Sequence, residues 1–531
     1  MDLASQTRAL RRVLPLVAVF AAVYAVEAHA EKKTVCTITV NSSDEKDAFR
    51  RFLPHDRYQF VELVEKGRAD WLASSCQKGV QCDVLIVSGH FNAGETFYSD
   101  KIENGDFLKV DELERASCSN SCPSLFARLK EVYLFGCESL NPDATKYSSA
   151  YGESGRERMR RLFAHVPVIY GFSGAAPVGP TAGAILGRYF GSGAGGEIAS
   201  GRPSARLLGK FSQNRMTYVT GMRDSDPGAQ HRRDVCEFYD ERREAAQKLD
   251  FIHGILRRDA REVRIFFERI EKLLASVDDL DRHSPSYVKA MDEITRDRVA
   301  RERFVAFSHE AAPPDIRSRM LIVAAELGWL TPAELRAEQM VMVADLVAHD
   351  AVGFAEVDLV CSINAGGELT PEFNHSSLAR ARPAKAAQSA ALACLGSAEA
   401  RAQVIRAVGS PDDRDVQVAQ AYLRHRPLTG PELRAVAAGI TRMPESRAQI
   451  RAFDTLARHS ISDREILDEL ARAFASARTL GVQRAIAEVF IRSDRKALDR
   501  PQLASLLREH RLKSPDGRDL IDVLISGLQG S

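Results

Sequence analysis

Short apolar runs alternate with longer amphipathic stretches over residues 34–220. "TVCTITV" (34–40) reads as a strand and "EKDAFRRFL" (45–53) as the helix after it. "DWLASSC" (70–76) resembles the end of another helix. The apolar run in "CDVLIVSGH" (82–90) stops at Ser-Gly, with the length and flanks of a fully buried strand. "CPSLFARLK" (122–130) reads as a helix, and "EVYLFGC" (131–137) as the next buried strand. "GRERMRRLFAH" (155–165) is helical in pattern, "VPVIYGFSG" (166–174) is a further strand, and "GPTAGAILGRYFG" (179–191) opens a helix behind Pro180. Strands separated by helical segments predict an α/β domain: a mostly parallel sheet with helices on both faces, three layers in αβα order.

The charged stretch around 222–240 breaks this pattern, and the chain beyond it reads as all-helical. Ile252, Ile255, Leu256, Val263, Phe266, Phe267, Ile270, Leu273 and Leu274 keep three- and four-residue spacing, the apolar face of one long helix. "AAPPD" (311–315) and "NAGGELTPEF" (364–373) read as linkers. From about 384 onward Gln388, Gln417, Gln449 and Gln483 recur in matching contexts, 29, 32 and 34 residues apart, each followed by a second helical segment. Paired helices at this period stack into a solenoid, since one pair cannot bury its apolar face alone. The units loosely resemble HEAT repeats; an irregular helical bundle is the alternative.

The first thirty residues have another character. Arg8, Arg11 and Arg12 precede an apolar stretch from Val13 to Val26 that ends in "EAHA". This is the order of a secretory signal cut after Ala30. Export to the periplasm or the medium, with no membrane anchor once the signal is removed, gives the nine cysteines a purpose in disulfides. Cys76 and Cys82, and Cys118 and Cys122, are close in sequence, so a zinc site is the alternative for those four. The pairing is not fixed by sequence, and the odd number leaves one thiol over. A net charge of +1 gives no broad field for nucleic acid.

Cys137 ends one predicted buried strand and His90 ends an earlier one. In an open parallel sheet, sites assemble at those strand ends. If the two strands are neighbours, an imidazolium beside the thiol favours the thiolate and can then protonate a leaving amine. The lone residues are also compatible with an inert core cysteine and a loop histidine.

"CDVLIVSGH" followed, 47 residues after His90, by "VYLFGCES" resembles the His…Cys arrangement of caspase-like (clan CD) cysteine peptidases. "LKEVYLFGCESLNP" is most similar to CHAT-type domains, and "VPVIYGFSGAAPVGPTAGAILGRYF" resembles their downstream strand, loop and helix. The resemblance spans about residues 34–200. It implies an αβα fold, Cys137 as nucleophile, His90 as its partner, and an oxyanion hole from the backbone N–H groups of Cys137 and Phe91. Phe91 stands where the family usually has Gly, with Gly89 in front, and its side chain is expected to crowd the cleft. Phe135 stands where relatives that cleave after basic residues often carry Asp, leaving Asp83 as the substitute acid.

The expected organisation is a signal peptide (1–30), a caspase-like peptidase domain (31–225), a helical linker region (226–310) and a helical-repeat domain (311–531). The expected function is that of an exported cysteine endopeptidase acting on protein or peptide, without cofactor or metal, whose helical repeats dock a protein partner. An inactive caspase-like scaffold that binds through its repeats is the alternative, and a hydrolase of non-peptide acyl bonds is a third reading.

Overall fold

A computed structural model describes residues 31–63, 76, 78–92, 96–99, 107–118, 122, 124–143, 154–177, 179–310, 313–514 and 519–529. The expected signal peptide and most of the 70–76 segment lie outside these residues. The chain forms two compact units, Met1–Asp292 and Glu293–Ser531, and the division falls inside the segment expected to be a linker.

In the first unit, the described residues form a six-stranded sheet of β1 (Lys33–Thr39), β2 (Tyr58–Glu62), β3 (Val84–Ser88), β7 (Glu131–Phe135), β8 (Val168–Phe172) and β9 (Met216–Val219). The spatial order is β2-β1-β3-β7-β8-β9. All neighbours are parallel except β8 and β9, which run antiparallel. The expected mostly parallel α/β sheet is therefore present.

β3, β7 and β8 are buried at every position because the sheet is covered on both faces. On one face Val84, Ile86, Tyr133 and Tyr170 pack under α1 (Asp44–Phe52) and a later helix, Gly179–Gly191. On the other face Leu85, Val87, Val132 and Ile169 pack against α2 (Val110–Ser117) and α3 (Gly155–Leu162). Strand alternation sorts each residue to its layer. Continuing in chain order, the Gly179–Gly191 helix is α4, followed by α5 (Ala205–Lys210), α6 (Ala229–Phe238), α7 (Ala245–Leu256) and α8 (Ala260–Ser276).

Between β3 and β7 the chain adds a small antiparallel sheet of β4 (His90–Asn92), β5 (Thr96–Tyr98) and β6 (Phe107–Lys109), in that order. Three other expectations are corrected. Residues 124–128 form turns, not a helix: the Leu125 carbonyl instead accepts the Cys82 N–H, and Cys122 is tied to Cys76. The long helix expected through 252–274 is two helices, α7 and α8, because Asp259 accepts the Glu262 N–H and starts a new one. The 364–373 stretch is packed, with Leu369 and Phe373 buried and Asn364 bonded to the Leu369 N–H and the Cys394 carbonyl.

The helices α6–α8 join the first unit through charge as well as apolar burial. Glu114 on α2 is fully buried between Arg161 on α3 and Arg269 on α8. Burial pushes the Glu114 carboxyl up, and the Arg269 and Arg161 guanidinium groups outweigh it, holding it well below the usual carboxylate range. The Cys118–Cys236 disulfide closes the same junction.

In the second unit, helices from Ala386 to Gln529 stack in two rows. Asp413–His425, Arg447–Leu456 and Leu480–Arg492 succeed one another in one row, and Gly430–Thr441, Arg464–Ser476 and Arg500–His510 in the other. This is the helical-repeat arrangement expected of the region. Two of the recurring glutamines bond neighbouring helices together: Gln449 Nε2 donates to the Ile440 and Met443 carbonyls, and Gln483 Nε2 to those of Phe474 and His510. Each ties the end of the preceding helix, whose last carbonyls lack intrahelical partners. Gln388 Nε2 donates to the Val347 carbonyl, near the end of the earlier helix Pro332–Ala348.

Candidate active site

β3 and β7 are neighbours, and their last paired residues are Ser88 and Phe135. One residue further, the Gly89 N–H still donates to the Phe135 carbonyl at 3.2 Å. A Cβ placed on Gly136 would stand 3.3 Å from the Gly89 carbonyl oxygen, so the two chains remain in contact there. His90, the first residue of β4, and Cys137, two residues past β7, follow directly on these two contacting positions. The sequence-predicted residues therefore both lie at the C-terminal end of the adjoining strands β3 and β7. They lie beside the β1–β3 boundary, where the strand order reverses and crevices form.

The backbone turns sharply after the cysteine. Glu138 has φ of 56°, a left-handed conformation uncommon outside glycine. Four hydrogen bonds fix the turn. Glu138 N–H donates to Gly174 O (2.8 Å), Leu140 N–H to Phe172 O (3.0 Å), and Asn141 N–H to Glu138 O (3.0 Å). The buried Ser139 hydroxyl accepts the Phe172 N–H at 3.1 Å. Gly171 is needed at this crossing, since a Cβ there would stand 2.6 Å from Ser139 Oγ. Cys137 is thus held half-buried at the crest of a pinned turn, between buried Gly136 and exposed Glu138.

Four disulfides take the other eight cysteines: Cys36–Cys82, Cys76–Cys122, Cys118–Cys236 and Cys361–Cys394. Cys137 is the free thiol. The cysteines close in sequence do not bond each other, and all four are in disulfides, so the disulfide expectation rather than a zinc site describes them. Among the described residues no group of three or more His, Cys, Asp or Glu is placed to hold a metal ion, and no helix is long and apolar enough to cross a membrane.

His90 opens β4, opposite Tyr98 on β5, and the two rings lie 5.3 Å apart. Phe91 turns to the other face. It is 5% exposed and its ring lies 4.4 Å from that of Phe97, in the core beneath the small sheet. The expectation that Phe91 crowds the cleft is therefore corrected: strand alternation puts His90 and Phe91 on opposite faces of β4, and Phe91 turns into the core. Its bulk is accommodated at Gly136, where a Cβ would meet Phe91 Cβ at 2.7 Å.

Asp83 is also corrected. It lies at the opposite, N-terminal end of β3, where its carboxylate accepts the Thr34 N–H at 2.8 Å. The five residues of β3 separate it from the site by roughly 17 Å, so it cannot serve there.

One acid near the site escaped the sequence reading. Glu45, in the first turn of α1, is 3% exposed and accepts the hydroxyl of Ser88, two residues before His90, at 3.2 Å. Burial pushes its carboxyl up to about 7, with its own backbone N–H and the Ser88 hydroxyl only partly offsetting. In sequence it is one of three acids in "DEKD", consistent with the solvated first turn of a helix. Comparison of the chain with family models, with curated proteins and with solved structures gives no match.

Proposed function

We propose that the chain is a cysteine endopeptidase related to the caspase-like (clan CD) enzymes, in which Cys137 and His90 act on a peptide bond. The observation that carries this reading is the position of the free thiol: it stands half-exposed on a pinned turn just past β7, the neighbour of β3, and His90 follows two residues after β3 at the same end of the sheet. A core cysteine would need neither the exposure nor the turn.

In this mechanism the Cys137 thiolate sulfur bonds to the carbonyl carbon, and the carbonyl oxygen takes the negative charge. The N–H of Cys137 and that of Phe91 are the proposed donors to that oxygen. As the C–N bond breaks, the His90 imidazolium gives its proton to the departing amine. Water, deprotonated by the now neutral imidazole, attacks the thioester. Its attack breaks the C–S bond, releases the carboxylic acid and returns the thiolate–imidazolium pair.

The four disulfides support maturation in an oxidising compartment, and with the leader-like first thirty residues we infer a periplasmic or secreted protein. The stacked helices of the second unit offer an extended surface of the kind solenoids use for protein partners. The test is cleavage of an unstructured polypeptide by the purified chain. Activity lost in both Cys137→Ala and His90→Ala supports the reading. Activity that survives Cys137→Ala, or none in the wild type with any polypeptide, removes it.

A further inference from the structure

Beside the candidate dyad, the small sheet carries a second feature that the proposed chemistry does not use. Its two faces differ. One is sealed in the core by Phe91, Phe97 and Leu108, which are 5%, 0% and 0% exposed. On the other, the register sets His90 opposite Tyr98, and Tyr98 opposite Phe107, in one cross-strand row. Tyr98 is 41% and Phe107 52% exposed. Two large aromatics standing side by side in solvent are an apolar surface that the fold does not bury, and such a surface marks a contact site.

The row has a direction. β4 meets Gly136 through Phe91 Cβ, whereas β5 reaches it only with the far edge of the Phe97 ring, at Cε1. Steps from β4 to β5 to β6 therefore lead away from Cys137, by about 5 Å each. The sequence in space is thiol, imidazole, Tyr98, Phe107. In the proposed reaction the imidazole protonates the leaving amine, so what lies beyond it faces the leaving half of the substrate.

Resting on Cys137 and His90 as the reacting pair, we propose that Tyr98 and Phe107 form a shelf for a bulky apolar side chain on the amine side of the scissile bond. The occupant is a polypeptide segment with Phe, Tyr, Trp or Leu within the first residues after the cleaved bond. Stacking on two exposed aromatic rings favours a flat or large aliphatic group and gives nothing to Gly or Asp. Lys109 Nζ, 5.8 Å from the centroid of the Phe107 ring, places a positive charge at that end of the shelf.

The experiment uses internally quenched peptides that differ only in the first two residues after the cleavable bond, with two readouts. Cleavage is followed with the wild-type chain, and binding of the same peptides with Cys137→Ala. The expected result is a kcat/KM about ten-fold higher for Phe or Leu than for Gly. Phe107→Ala and Tyr98→Ala should each collapse that ratio toward one, and Phe107→Leu should retain most of it. Cleavage without such a preference, or a preference that survives Phe107→Ala, overturns the shelf and leaves the peptidase reading standing. Phe107-dependent binding without cleavage supports the shelf and sinks the peptidase reading. Neither cleavage nor binding overturns both.

Discussion

Gly136 exists for Phe91: a Cβ added to the glycine would stand 2.7 Å from the Phe91 Cβ and 2.9 Å from Phe97 Cε1. The residue before the candidate nucleophile and the residue after the candidate acid are thus locked in one contact, which holds the two strand ends together. Gly136→Ala should force the Cys137 and His90 ends apart and cost about 1–3 kcal/mol of stability, as overpacking does. The check is a denaturant melt alongside the alkylation rate of Cys137. A variant as stable and as reactive as the wild type contradicts the contact.

Glu45 makes a prediction in pH. Its folded-state carboxyl is raised from 4.5 to about 7, so the folded state favours the protonated acid. The stability it contributes is complete below pH 4.5 and is lost as pH rises through about 7. The loss above that is about 3 kcal/mol, at 1.4 kcal/mol per pH unit. His231 acts in the opposite sense, because burial and then Arg161 and Arg269 push its pKa down, so its destabilisation appears on acidification. The difference between wild type and Glu45→Gln isolates Glu45. Urea midpoints should diverge between pH 5 and pH 8, with the variant losing less on the alkaline side. Parallel pH curves for the two proteins would exclude the effect.

The buried Glu114–Arg161–Arg269 cluster joins α2, α3 and α8. Removing one member leaves charge that water cannot reach, at a cost of about 3–5 kcal/mol. Arg269→Met should therefore destabilise the first unit strongly. Replacing Glu114 with Gln in the same chain should not restore it, since Arg161 would then lose its carboxylate. A melt of Arg269→Met within 1 °C of wild type, roughly the size of a neutral surface change, would count against the cluster as the junction.

Much of this was legible in sequence, and the reasons differ by element. β3, β7 and β8 announced themselves because strands covered on both faces must be apolar throughout. That His90 and Cys137 both follow neighbouring strands at one end of the sheet could be read from placing each after a buried apolar run. The small sheet was not legible: its strands have three residues each, too short for period-two alternation to register. For that reason Phe91 could not be turned inward from sequence, nor Tyr98 and Phe107 outward. The break between α7 and α8 was hidden because the apolar spacing carries across Arg257–Asp259, and only the Asp259 cap reveals it. Ser139 gave no signal, since its role depends on Phe172, thirty-three residues away.

The repeat reading has a direct test. Gln483 is fully buried, donates to the Phe474 and His510 carbonyls, and accepts the Leu512 N–H at 2.9 Å. Gln483→Leu keeps the volume but strands these groups, so the second unit should lose about 1–3 kcal/mol or more. Proteolysis that begins sooner within the last repeats, with the first unit intact, is the expected result. Unchanged resistance would show that the glutamine is incidental.

The measurement that bears most directly on the central claim is the alkylation rate of Cys137 across pH 5–9, read by peptide mass spectrometry without reduction. The account predicts that Cys137 alone labels, at pH 6–7 faster than an unstructured model thiol, and that His90→Ala slows that labelling. A Cys137 that labels only as an ordinary thiol, with the same profile in His90→Ala, would contradict it.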